Sequence, residues 1–192
     1  MMEVLEDAKA RGKIRFIGVS NFSVDDLESA RESAQIDVYQ IGYNLLWRKP
    51  EVDVLPYCRQ AGIAVVTYSS LAQGLLTGKF IEKPRFDPGD PRPGTVFYDP
   101  SVWPRVYAAV EKMKVVAAAV GCPLGRLALR WLTDYECVDM VLAGARTLAQ
   151  LGQNIESMKG AAPIDALKRL DAISKELAPF IPEIGNMFKY RP

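Results

Sequence analysis

Four short clusters carry the chemistry that this sequence offers. Ser20-Asn21 follows the apolar stretch 14–19, and Gln40 lies within a second such stretch, 38–43. Tyr68-Ser69-Ser70-Leu71-Ala72-Gln73 closes a third, 63–68, and runs on to Lys79, while Gly144-Ala145-Arg146 follows a fourth, 138–143. Serine, asparagine and glutamine side chains both donate and accept hydrogen bonds, which suits an amide-bearing ligand. Tyr68 offers a flat face for stacking, and Gly144 lets a ligand approach the backbone. Arg146 precedes Thr147-x-x-Gln150, a capping pattern that opens a helix, and free N–H groups plus the helix dipole attract phosphate there. Singly, each residue has an ordinary use: Ser-Asn as a turn, Gln40 as an interior polar group, Tyr68 as core, Arg146 as surface. Together, at the same end of four consecutive strands, they point to a nucleotide site.

Composition narrows the chemistry. The 192 residues contain no histidine, which excludes Ser-His-Asp and Cys-His mechanisms and most zinc enzymes within this chain. The three cysteines, Cys58, Cys122 and Cys137, form no CxxC, so a reduced, cytoplasmic setting with buried thiols is expected. Lysine and arginine total 24 against 23 acids, leaving +1 and no electrostatic case for a nucleic-acid partner. Apolar residues at 49% and charged residues at 24% describe a globular chain. No apolar run reaches the ~20 residues of a membrane-spanning helix, and the acidic start is no secretory signal, so no membrane partner is expected.

The elements that must position these clusters follow from periodicity. Residues 3–11 read as a helix ending at Gly12, and 14–19 as a strand. Ser23 and Asp26 make a capping pair for a helix that turns Leu27, Ala30 and Ala34 inward. After strand 38–43, Pro50 starts a helix with Val52, Leu55, Cys58 and Ala61 on its inner face, stopped by Gly62 before strand 63–68. Residues 71–100 are rich in proline and glycine and read as a long loop. Trp103, Val106, Val110, Met113, Ala117 and Val120 then share one helix face, and Pro123 opens another helix through Leu127 and Trp131. After strand 138–143 and the Thr147-capped helix, residues 163–177 form a last helix with Ile164, Leu167, Leu170, Ile173 and Leu177 inward. Apolar strands alternating with helices predict an α/β fold with a parallel sheet. A (β/α)8 TIM barrel needs eight strands and typically about 250 residues. About four βα units with extra C-terminal helices make a partial barrel or a small open sheet. The half-barrel unit is expected over 1–178, with 179–192 as a C-terminal tail.

At these residues the sequence resembles a known family. Residues 12–23, Gly-Lys-Ile-Arg-Phe-Ile-Gly-Val-Ser-Asn-Phe-Ser, closely resemble the fifth-strand motif of the aldo/keto reductases. Residues 68–79 resemble that family's seventh-strand loop, with Ser70 where proline is usual, and 142–147 with Gln150 and Asn154 resemble the eighth-strand motif and its helix. The resemblance covers nearly the whole chain and implies the carboxyl-terminal half of the barrel, strands five to eight, of a reductase converting carbonyls to alcohols.

It also implies roles. Ser20, Asn21 and Gln40 would hold the nicotinamide carboxamide and Tyr68 would stack on its ring. Ser69, Leu71, Ala72 and Gln73, with Lys79 and more weakly Arg92, would wrap the pyrophosphate. Gly144, Arg146, Gln150, Gln153 and Asn154 would contact the adenosine end and a 2′-phosphate; glutamate often stands where Gln153 does. The implied cofactor is NADP (NADPH), with NAD possible. The family's catalytic aspartate, tyrosine, lysine and histidine lie on strands two to four, so no residue here is expected to be catalytic and the chain alone is expected to be inactive. The alternative is a non-catalytic half-barrel that binds nucleotide or docks on a partner. Half a barrel leaves edges at 15–19 and 138–143 and an uncovered inner face, so a second half-barrel, its own copy or an amino-terminal fragment, is the expected partner.

Overall fold

A computed structural model of the chain describes residues 2–161, 163–182 and 185–190. The order is α1 (Met2–Ala10), β1 (Gly18–Ser20), α2 (Val24–Arg31), β2 (Val38–Gly42), α3 (Val54–Ala61), β3 (Ala64–Tyr68), α4 (Trp103–Ala119), α5 (Leu124–Thr133), β4 (Met140–Val141), α6 (Leu148–Ser157) and α7 (Ile164–Leu177). The four strands form one parallel sheet in sequence order, so each crossover brings the next strand alongside the last.

Local chemistry accounts for the element ends. Ser23 Oγ accepts the Asp26 N–H and the Asp26 carboxylate accepts the Ser23 N–H, the reciprocal box that starts α2. Gly62 ends α3 at φ 68°, a left-handed conformation that a residue with a Cβ adopts only under strain. Both edge strands are shorter than their apolar stretches. Residues 14–16 never join the sheet: the Asp37 carboxylate accepts the Ile17 N–H at 2.8 Å, and Phe16 is exposed. At the other edge, ladder bonds run only from the Asp139 N–H to the Leu142 N–H, both given to β3 carbonyls.

Three inward assignments fail. Val52 is exposed because a 3₁₀ turn at Lys49–Glu51 precedes α3 and Val54 takes the buried position. Val120 lies past the end of α4 and Ile164 on the first turn of α7, both outward, with Ala166 buried in Ile164's place. Residues 71–100 are not simply loop. They contain two short 3₁₀ turns kinked at Gln73-Gly74 within Ala72–Thr77, and further turns at Arg92–Gly94 and Val96–Tyr98, with Val96, Phe97 and Tyr98 buried and Tyr98 stacked on Trp103 at 5.4 Å.

The sheet has one covered and one open face. Register partners share a face. Val19, Tyr39 and Val65 are partners, and the latter two are buried under the helices. Ser20, Gln40, Val66 and Met140 are partners on the other face, where Ser20 and Met140 are exposed and Gln40 and Val66 half-buried. Outside the sheet, α6 packs on α5 yet leaves Leu148, Leu151, Ile155 and Met158 exposed along one stripe. No single helix among the described residues is long and apolar enough to cross a membrane.

A charged network fastens α7 to the segment after β2. Arg48, 7% exposed, donates to Glu51 at 2.8 Å and to Asp171 at 2.5 Å and lies 5.0 Å from the Trp131 ring centroid. Tyr43 Oη donates to Glu51, Trp131 Nε1 to Asp171, and Lys175 pairs with Asp171 at 2.9 Å.

Candidate active site

At the carboxyl ends of the strands, Tyr68 reaches across β2 and donates its hydroxyl to Asn21 Oδ1 at 2.8 Å, tying β3 to β1. The crossing depends on Gly42: a Cβ there would stand 3.1 Å from the Tyr68 ring and 2.6 Å from the Met187 methyl. Burial raises the Tyr68 phenol above its ordinary pKa, partly offset by the bond to Asn21. The phenol is therefore neutral at physiological pH. The Asn21 N–H donates to the Gln40 carbonyl at 3.1 Å. Gln40's own amide makes no hydrogen bond among the described residues, leaving a donor and an acceptor on the open face beside Ser20.

Backbone strain gathers here. The described non-glycine residues at positive φ are Asn21 (61°), Ser69 (53°), Ala72 (48°), Gln73 (55°) and Lys189 (62°). Such conformations cost about 1–3 kcal/mol each and concentrate at functional sites. Four of the five are residues that the sequence singled out. Side chains hold the loop in this shape. Asn44, wholly buried, donates to the Ser69 carbonyl at 3.0 Å, and Gln73 Nε2 donates to Ser69 Oγ at 2.8 Å. Ser70 Oγ donates to the Leu142 carbonyl at 2.6 Å, linking this loop to β4. Ala72 is buried beneath the loop, Leu71 half-buried, and Lys79 exposed with its ammonium 4.9 Å from the Phe80 ring centroid.

The second cluster surrounds the start of α6. Thr147 Oγ1 accepts the Gln150 N–H at 3.2 Å, but the Gln150 side chain accepts from the Arg146 N–H at 2.7 Å. The expected reciprocal box is thus only half made, and Gln150 instead fixes the backbone of Arg146. Asn154 Nδ2 donates to the Gly144 carbonyl at 3.3 Å, and Gln153 is exposed. The Arg146 guanidinium is exposed and makes no side-chain hydrogen bond among the described residues. Its charge reaches Asp90, whose carboxyl is held at about 2, chiefly by Arg92. Arg92 is committed to Asp90 at 2.5 Å and lies 4.6 Å from the Phe86 ring centroid.

The structure therefore gathers Ser20, Asn21, Gln40, Tyr68, Ser69 and Gln73 at one rim and Gly144, Arg146, Gln150 and Asn154 at a second patch, joined through Ser70. Sequence reasoning missed Gly42, Asn44 and the tail residues Met187 and Phe188. A glycine inside a strand signals close approach, which was available for Gly42; nothing local flagged the tail. A cavity of about 700 Å³ opens at the opposite end of the strands beside Phe16, Asp37 and Gly62. Its acid is already satisfied by Lys9, Gln35 and the Ile17 N–H. No group of three or more metal-ligating side chains exists among the described residues.

Comparison with known proteins agrees with this architecture. The model of the aldo/keto reductase family matches residues 1–175. An aldo-keto reductase of Bacillus subtilis is 37% identical over 150 residues, which is 78% of this chain and 45% of that protein. The NADH-specific methylglyoxal reductase of Escherichia coli is 32% identical over 155 residues, 81% of this chain and 47% of the relative. The solved glycerol dehydrogenase of Gluconobacter oxydans superposes with a TM-score of 0.81 at 30% identity, covering 93% of this chain and 54% of that one. The chain spans about half the length of these relatives. The chain belongs to the aldo/keto reductase family.

Proposed function

We propose that this chain is the carboxyl-terminal half of an aldo/keto reductase barrel, with its half-barrel unit over 1–178, and that its rim binds a nicotinamide nucleotide without reducing a carbonyl alone. The observation that carries this reading is the bonded cluster of Asn21, Gln40 and Tyr68 on the open face, flanked by the strained loop 69–73. The residues fit the group: Gln40 presents an amide with no hydrogen bond among the described residues, Asn21 is oriented by Tyr68, and the lack of a side chain at Gly42 lets the Tyr68 ring lie across β2. When bound, a reduced nicotinamide supplies hydride. Ser20, Asn21 and Gln40 orient the carboxamide, Tyr68 provides the stacking ring, and Ser69, Leu71, Ala72, Gln73 and Lys79 follow the pyrophosphate. Gly144, Arg146, Gln150, Gln153 and Asn154 take the adenosine end.

The exposed guanidinium of Arg146, with no side-chain hydrogen bond among the described residues, supports NADPH over NADH, because only NADPH carries the 2′-phosphate. Relatives carry both descriptions, one named NADH-specific and one from Schizosaccharomyces pombe named for NADP(+). Among the described residues no acid is bonded to Tyr68, whose hydroxyl is given to Asn21, and losing a positioned acid alone costs ~10²–10⁴-fold in rate. The open face and the exposed stripe on α6 support closure by a second half-barrel, either an amino-terminal portion or another copy. A second reading, a nucleotide-binding or docking module without catalysis, is favoured by the missing acid. Calorimetric titration with NADPH, paired with NADPH oxidation over a panel of aldehydes and ketones, tests the proposal. Binding without turnover is expected, and turnover by the chain alone overturns it.

A further inference from the structure

The described tail residues, 185–190, lie over the open face at its carboxyl rim. Met187 is wholly buried, its methyl resting where Gly42 lacks a side chain, and its carbonyl accepts the Val96 N–H at 2.9 Å. Asn186 closes a tight turn: its Oδ1 accepts the N–H groups of Phe188 at 2.9 Å and Tyr190 at 3.2 Å. Lys189, the fifth of the described non-glycine residues at positive φ, pairs with Asp99 at 3.4 Å. This turn delivers Phe188 onto Tyr68, with ring centroids 6.2 Å apart and planes 21° from parallel. Phe188 stays 38% exposed, so its ring is partly open to solvent where it lies on Tyr68. Met187 is the anchor, and Phe188 is a ring laid on the aromatic surface beside Gln40 and Asn21.

We propose that Phe188 is a built-in occupant of the Tyr68 surface, a strap that a nicotinamide ring must displace before it stacks there. The inference rests on the reading of Tyr68 as the cofactor's stacking surface. A site closed by its own chain binds more weakly by the fraction of molecules in which it is open. The strength of an offset aromatic pair translates into a weakening of about two- to tenfold. Removing Phe188 while keeping Met187 should recover that factor, because the anchor and its bond to Val96 remain.

The test is a four-protein titration with NADPH, read by calorimetry: wild type, Phe188→Ala, Tyr68→Ala and the double variant. Phe188→Ala should tighten binding about two- to tenfold, Tyr68→Ala should weaken it, and Phe188→Ala should change nothing in the Tyr68→Ala background. Circular dichroism verifies the fold of each variant. If Tyr68→Ala weakens binding but Phe188→Ala is neutral or harmful, the strap is wrong and the cofactor reading stands. If Phe188→Ala tightens binding equally with and without Tyr68, the tail acts elsewhere and the strap is again wrong. If no protein binds millimolar NADPH, both readings fall.

Discussion

Replacing Tyr68 with phenylalanine separates its ring from its hydroxyl. The structure gives the hydroxyl to Asn21 Oδ1 at 2.8 Å, with the Gly42 backbone also against it, while the ring rests on Gly42 and against Phe188. Losing a neutral hydrogen bond whose acceptor can turn to water costs about 1 kcal/mol. Asn21 stands at φ 61°, so its strained backbone loses a tether, and the expected loss in urea-unfolding stability is roughly 1–1.5 kcal/mol. The stacking ring is unchanged, so NADPH affinity should stay within about twofold, whereas removing a stacking ring outright typically costs about 1–3 kcal/mol. Alkaline behaviour gives a second reading. Burial raises the phenols of Tyr68, Tyr39 and Tyr43, so the folded state keeps protons that the unfolded chain releases near pH 10. Stability should therefore fall as pH climbs above about 10, and a little less steeply in Tyr68→Phe. A tenfold loss of NADPH affinity with unchanged stability would refute the reasoning, because it would place the hydroxyl rather than the ring at the ligand.

Other expectations follow from the same contacts. Arg48→Met removes the buried guanidinium between Glu51 and Asp171; breaking a buried pair costs about 3–5 kcal/mol, but Lys175 and Tyr43 still serve those acids, so urea unfolding should show roughly 2–3 kcal/mol. Asp171 and Asp37 titrate below the ordinary carboxylate value, their burial outweighed by bonds to Lys175 and Arg48 and to Lys9. The stability they add is present above the unfolded carboxylate value and should vanish as an acid titration passes their folded values. Arg146→Ala should weaken NADPH roughly tenfold or more and NADH little, since a charge-assisted hydrogen bond is worth about 1.5–3 kcal/mol; equal losses in parallel titrations would remove Arg146 from the 2′-phosphate. Burial raises the Cys58 thiol to about 11, so a thiol reagent at pH 8 should label Cys122 and Cys137 in the native chain and Cys58 only after unfolding.

Central elements were legible because local chemistry and burial agreed in them. β2 and β3 are apolar and paired on both sides, and α2 carries its own cap. The edge strands were overread because an apolar stretch continues where no neighbour exists to pair with it, as at Phe16. Val52 and Ile164 fit a helical period but sit at helix starts, where a turn or a cap sets the direction. At the candidate site, residue types announced the rim. The contacts that shape it were hidden because they join residues far apart in sequence. Tyr68 meets Asn21, Asn44 meets the Ser69 carbonyl, and Phe188 meets Tyr68 across 120 positions without a periodic signal.

The proposed nucleotide site runs across the carboxyl rim of this sheet. Amide chemical-shift mapping of the labelled chain during NADPH titration tests it most directly. Shifts are expected at Ser20, Asn21, Gln40, Ser69 through Gln73, and Gly144 through Asn154. Shifts confined to Phe16, Asp37 and Gly62 at the opposite end, or none at millimolar NADPH, would contradict it.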